Sequence, residues 1–276
     1  MLAKVSVFAT VCLALSAAAT PYKRQAPLAQ VITRCTVPNT AALTFDDGPW
    51  VYLYDISKAL VAANATGTFF FNGDNSSRCN AFEDECIYNA DEIKRVRYAF
   101  DKGHQVASHT WAHKDLTTLT WDQIHDEMWR VELALSRIIG VVPAFMRPPY
   151  GNYNDLVRQA SEIRGQKLVI WDFDSGDSVG ATPDESKDNY DELIDEHPQT
   201  ILALNHETIE TTAHQVLPYA IQQLQDAGYR LVSLAECVGL PAYQSVGPRG
   251  TPDVSDWPSF DSVLFHIESL QASWTC

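Results

Sequence analysis

Seven short runs rich in β-branched and aromatic residues alternate with helical patterns along this chain. That alternation restricts the fold more than any other feature. The strand candidates are residues 41–45, 68–71, 105–108, 144–147, 167–174, 201–205 and 230–233. Helical patterns separate them at 54–64, 91–102, 121–139, 154–164, 184–196 and 212–227. The pattern at 121–139 is the clearest. Thr120 and Gln123 form a capping box, Ile124, Met128, Val131, Leu135 and Ile138 recur at helical spacing, and Gly140 stands where a C-cap is wanted. Strands alternating with helices argue for a parallel α/β architecture. No glycine-rich phosphate loop follows the first strand, so a nucleotide-binding open sheet is disfavoured. Asp46, Asp47, His109, His113, Arg147, Asp174 and His206 all fall at or just past the C-terminal end of a predicted strand. Only a barrel brings many such ends to one mouth. The expected fold is therefore α/β, a distorted (β/α) barrel of seven parallel strands with its active site at the C-terminal mouth, in one domain spanning 35–244.

The chemistry concentrates in Thr44-Phe45-Asp46-Asp47-Gly48-Pro49 and Ser108-His109-Thr110-Trp111-Ala112-His113. Two adjacent carboxylates and a close His pair supply three metal ligands and leave one carboxylate as a base. Neighbouring strand residues point to opposite faces, so the chain has to turn at Gly48-Pro49 if both carboxylates are to reach one centre. Spacing of four is expected to put His109 and His113 on one side of a helical turn. The remaining histidines, His104, His125, His197, His214 and His266, read as structural.

The N-terminal 19 residues, with Lys4, an apolar run and a small-residue end, read as a secretory signal peptide too short to span a membrane. Residues 20–24, ending in Lys23-Arg24, suggest a short propeptide. Trimming both leaves 17 basic against 35 acidic residues, a formal charge of −18, which disfavours nucleic acid as a partner. Secretion implies an oxidising compartment, with Cys79 expected to bond Cys86 and Cys35 to bond Cys237, and Cys276 left over. Asn64 and Asn75 begin N-glycosylation sequons. Gly and Pro residues past Tyr243 set apart a C-terminal tail, 245–276, in which 259–271 could form a short helix and Trp257 and Trp274 could touch carbohydrate.

Five motifs then stand in an order that resembles the polysaccharide deacetylases of carbohydrate esterase family 4, with their NodB-type domain, and among them the secreted fungal chitin deacetylases. These are the two segments above, the second extended by Lys114-Asp115, followed by Arg147-Pro148-Pro149-Tyr150-Gly151, Asp174-Ser175-Gly176-Asp177 and Leu204-Asn205-His206. The resemblance implies that Asp47, His109 and His113 hold one divalent metal, Zn2+ or Co2+, and that Asp46 is the catalytic base. It further implies that Arg147 orients Asp46, that His206 is the acid with Asp174 orienting it, and that the Tyr150 backbone N–H faces the oxyanion. Leu204 would line the acetyl pocket, and Asp115 would bond a ligand or a loop. The implied substrate is chitin or a chitooligosaccharide, the implied product chitosan, and the implied setting extracellular or at the cell wall, with the chain working as a monomer. O-deacetylation of xylan is the alternative chemistry on the same residues, and sugar binding without turnover the alternative of another class. The sequence departs from the family pattern at Ser178, where a Trp commonly follows the Asp, which puts one wall of the substrate cleft in doubt.

Overall fold

The structure, a computed structural model, describes residues 27–75 and 86–252. The elements run β1 (Val31–Ile32), β2 (Thr40–Gly48), α1 (Leu53–Ala62), β3 (Thr68–Phe71), α2 (Ala90–Asp101), β4 (Gln105–Ser108), α3 (Trp121–Ile139), β5 (Val141–Pro143) and β6 (Phe145–Met146). They continue with α4 (Asp155–Ile163), β7 (Lys167–Val169), β8 (Phe173–Asp174), α5 (Pro183–Glu196), β9 (Thr200–His206), α6 (Leu217–Asp226), β10 (Arg230–Leu231), α7 (Leu234–Val238) and β11 (Tyr243–Val246). The principal sheet has the order β1-β7-β6-β4-β3-β2-β9-β8, with β10 against the start of β2, and its pairings are all parallel.

That order forces the sheet to curl. β7 and β8 lie six strand steps apart along the hydrogen-bonded path, roughly 29 Å if the sheet were flat. Val169 and Phe173 are only four residue steps apart, a reach of at most about 14 Å. The two ends must therefore approach each other, giving the distorted barrel. The run 167–174 is accordingly not one strand. Its first part pairs with β6 and its last part with β9, and the Leu202 N–H bonds to the Asp172 side chain at 2.6 Å where it breaks. Three further strands depart from the expected seven: β1 precedes Cys35 and extends the edge at β7, while β5 and β11 form a separate antiparallel ribbon. The helical pattern at 212–227 is also interrupted. Thr212–Val216 is a wider π turn ahead of α6, since Pro218 supplies no N–H to continue the ladder.

Alternation along the strands sorts the core into two faces. Leu43, Phe45, Phe69, Phe71 and Val106 pack outward against the helices. Ala42, Phe70, Ala107, Phe145 and Leu202 fill the barrel. Continuing the inner face of β2 by twos from Ala42 gives Thr44 and Asp46, and continuing that of β9 from Leu202 gives Leu204 and His206.

Candidate active site

Asp46 and His206 are register partners across β2 and β9, so the barrel's own pairing sets the two groups side by side on its inner face. Arg147, just past β6, is completely buried. Its guanidinium donates to Asp46 Oδ1 at 2.8 Å and to Thr44 Oγ1 at 2.7 Å, and lies 4.3 Å above the Phe70 ring centroid. A buried cation held on an aromatic face can repay its desolvation only through a close anion, and Asp46 is that anion.

Asp47 reaches the same centre through a bulge that begins before Gly48-Pro49. Pairing with β3 steps from Phe45↔Phe69 to Gly48↔Phe71, so β2 carries one residue more than its neighbour there. Asp47 takes a left-handed conformation, φ 71°, which Asp tolerates better than most residues. Asp46 Oδ2 and Asp47 Oδ1 then both approach His109 Nε2, at 3.8 and 3.5 Å, although the residues are adjacent.

His109 and His113 are not on a helix. They flank a loop with Thr110 at φ 68° and His113 at φ 50°, and its neighbours fix its shape. The Asn72 amide donates to the His109 and Thr110 carbonyls at 2.6 and 3.1 Å. Trp111 packs where a Cβ on Gly73 would stand. Glu127, buried on α3, accepts the Ala112 N–H at 2.7 Å and pairs with Lys114 at 2.8 Å.

His109 Nδ1 lies 2.8 Å from the Arg147 carbonyl, to which it can only donate, so Nε2 carries the lone pair facing Asp47. His113 Nε2 is 3.3 Å from Asp47 Oδ1, and the three ligand atoms lie within 4.8 Å of one another. Burial drives both imidazoles toward the neutral form and raises the Asp47 carboxyl, with Asp46 adding to the rise and His109 opposing it. Asp47 Oδ1 is buried with no hydrogen-bond partner among the described residues. Converging acceptors with no donor between them fit a divalent cation.

Around His206 the structure corrects one expectation. The carboxylate that grips it is Asp177, not Asp174. Asp177 Oδ1 lies 2.7 Å from His206 Nδ1, while Oδ2 accepts the His206 backbone N–H and the Thr212 hydroxyl, each at 2.8 Å. The register explains this: Asp174 pairs with Leu204, two residues short of His206. Its side chain instead accepts the Gly176 N–H at 2.8 Å. Gly176, at φ 78°, lets the chain fold back so that Asp177 covers His206. Burial alone would lower the His206 pKa, but the Asp177 bond and the Asp46, Asp177 and Asp47 charges outweigh it and raise it to about 9.

These groups open on a cleft of about 420 Å³ whose lining includes Asp46, Asp47, His109, His113, Asp174 and His206. Leu204, Tyr150 and Trp171 supply its apolar surface, with Ser178 and Val179 at one side. Tyr150 is 65% exposed, adopts φ 60° and sets its ring edge-on to His113 at 4.8 Å. Asp115 caps the turn after His113 through the Thr117 N–H, and accepts from Asn152 at 2.8 Å, joining the His loop to the Tyr150 loop. Trp171, Asp177 and Glu127 are site neighbours that motif reading assigned no part. Asp177 was visible as the second acid of its motif, whereas a buried glutamate in mid-helix, such as Glu127, was the signal for the third.

Away from the cleft, Cys35 is bonded to Cys237, and Asn64 and Asn75 are exposed. Cys79, Cys276, Trp257, Trp274, the 259–271 helix, residues 1–24 and His266 lie outside the described residues, so the Cys79–Cys86 bond is not described. No described helix is long and apolar enough to cross a membrane.

Residues 33–169 match the family described as polysaccharide deacetylase. A chitin deacetylase of Colletotrichum lindemuthianum is 34% identical over 237 residues, covering 84% of this chain and 92% of that protein. One from a Pestalotiopsis species is 34% identical over 236 residues, covering 82% and 74%. The solved structure of the chitin deacetylase from Colletotrichum lindemuthianum superposes with a TM-score of 0.72 at 27% identity, covering 80% of this chain and 96% of the other.

Proposed function

Because this chain belongs to the polysaccharide deacetylase family, we propose that it is a secreted, metal-dependent chitin deacetylase. It hydrolyses the N-acetyl groups of β-linked N-acetylglucosamine polymers or oligomers to acetate and chitosan. The observation that carries this reading is the opposition of Asp46 and His206 in strand register beside the Asp47, His109 and His113 cluster. Amide hydrolysis needs a base for the attacking water and an acid for the departing amine.

Asp47, His109 and His113 would hold the ion, zinc or cobalt. When bound it would polarise the acetyl carbonyl and lower the pKa of water. Asp46, oriented by Arg147, takes the proton of the attacking water. The Tyr150 backbone N–H donates to the oxyanion that develops on the carbonyl. His206, kept protonated by Asp177, gives a proton to the amine nitrogen, which is a poor leaving group without it. Leu204 receives the acetyl methyl, and Tyr150 and Trp171 offer apolar faces to the sugar. Secretion is supported by the apolar leader and by the Cys35–Cys237 bond, which suits an oxidising compartment.

The test is acetate release from defined chitin oligomers and from acetylated xylan, before and after chelation and zinc restoration. Zinc-dependent release from the chitin oligomers is expected. Release from xylan alone would replace an amide substrate with an ester. With zinc bound, Asp46→Asn and His206→Ala should each lower kcat by roughly 10²–10⁴-fold.

A further inference from the structure

Glu207 follows His206 at the end of β9 and is completely buried, yet it does not line the cleft described above. Burying a carboxyl is costly unless its bonds repay the lost hydration. Three contacts show what this one does. One oxygen, Oε1, accepts the Trp50 backbone N–H. The Glu207 backbone N–H donates to the Asp46 carbonyl at 3.1 Å. The carboxyl itself occupies the space that a Cβ on Gly48 would need. Asp46, Gly48 and Trp50 bracket Asp47, so the single residue that follows β9 grips the β2 bulge on both sides of its left-handed position. A non-glycine residue persists at φ 71° only where its surroundings over-determine it. Glu207 is placed to do that.

We propose that Glu207 is a positioning residue that clamps the Asp46-to-Trp50 turn onto the His206 strand and thereby holds Asp47 in place as a metal ligand. The proposal rests on the reading of Asp47, His109 and His113 as a metal site. Its reach is specific: Oε1 must accept one backbone N–H, and Gly48 must lack a side chain. A leucine would fill the volume but could not take the Trp50 proton, whereas a glutamine keeps the acceptor.

The experiment measures zinc dissociation constants by competition with a chromophoric chelator, alongside kcat and KM on chitin oligomers. The proteins are the wild type, Glu207→Ala, Glu207→Gln, Gly48→Ala and the Glu207→Ala/Gly48→Ala pair. Glu207→Ala should weaken zinc binding by roughly 10–100-fold, the range found when outer supports of metal ligands are removed. It should also lower kcat with little change in KM. Glu207→Gln should recover most of the zinc affinity. Gly48→Ala drives a Cβ into the carboxyl and should reproduce the loss, and adding it to Glu207→Ala should cost little more. A folded Glu207→Ala protein with wild-type zinc affinity overturns the proposal, as does a Glu207→Gln protein as weak as Glu207→Ala. If Glu207→Ala does not fold, wild-type zinc affinity in Gly48→Ala overturns it. A wild type that binds no zinc overturns the metal reading as well, so the two failures are told apart.

Discussion

At His206, burial and hydrogen bonding pull in opposite directions. Burial favours the neutral ring, and the Asp177 bond with its nearby carboxylates favours the charged one and wins, placing the pKa at about 9. A raised histidine pKa stabilises the fold fully below the unfolded value near 6.5, and that contribution is lost as pH rises through about 9. The acid role proposed for His206 follows the same sign, present below the folded pKa and lost above it. Asp177→Asn should therefore lower the His206 pKa, measured by NMR titration of the metal-free protein, and move the alkaline limb of activity to lower pH. Asp174→Asn should leave that titration in place, since its oxygen bonds Gly176. A His206 pKa that follows Asp174 instead would refute the assignment. The motif residues themselves were legible in the sequence because metal and acid–base chemistry admits few residue types. Which acid meets His206 was not. That depends on strand register and a glycine-allowed turn, neither of which the residue types fix.

Helical patterns and strand runs were legible where periodicity is long. The capping box at Thr120 and Gln123 and the Gly140 cap both form, with Gly140 at φ 76°. Shorter elements were hidden. β5 and β11 have three and four residues, too few to show a period, and the split of 167–174 follows from the curl of the whole sheet. The His pair also shows how spacing can mislead: separation by four suits a helical turn, but here two left-handed residues in a loop achieve the convergence.

One buried histidine ties the supporting elements together. The Gly67 N–H donates to His104 Nδ1 at 3.2 Å, which leaves Nε2 as the donor to Ser57 on α1 at 2.8 Å. A neutral ring satisfies both partners, and burial lowers its pKa to about 4. A depressed histidine pKa has the opposite sign from His206. Its contribution is complete above about 6.5 and declines as pH falls toward 4, because the unfolded chain binds the proton first. Thermal unfolding of the metal-free protein should show a shallower loss between pH 6.5 and 4 in His104→Asn than in the wild type. Equal slopes would show that the ring contributes no such linkage.

At the scale of the molecule, the curled sheet divides labour between its two ends. The C-terminal strand ends carry Asp46, Asp47 and His206. The opposite end is closed by the Cys35–Cys237 bond across 202 positions of sequence, with the Cys35 carbonyl accepting from Thr200 at the start of β9 at 3.2 Å. Thr200 and His206 are six residues apart on one strand, roughly 20 Å. A crosslink over so long a loop restricts the unfolded chain strongly, and removing one from a secreted domain typically costs about 2–5 kcal/mol. The double variant Cys35→Ser/Cys237→Ser should therefore unfold at markedly lower temperature or denaturant concentration, while kcat and zinc affinity stay near wild type wherever it remains folded. The strands between the two ends are packed by side chains of both core faces, so the mouth does not need the bond to keep its geometry. Zinc affinity falling in step with stability in the folded variant would mean instead that the barrel transmits strain along β9, and that its two ends are one mechanical unit.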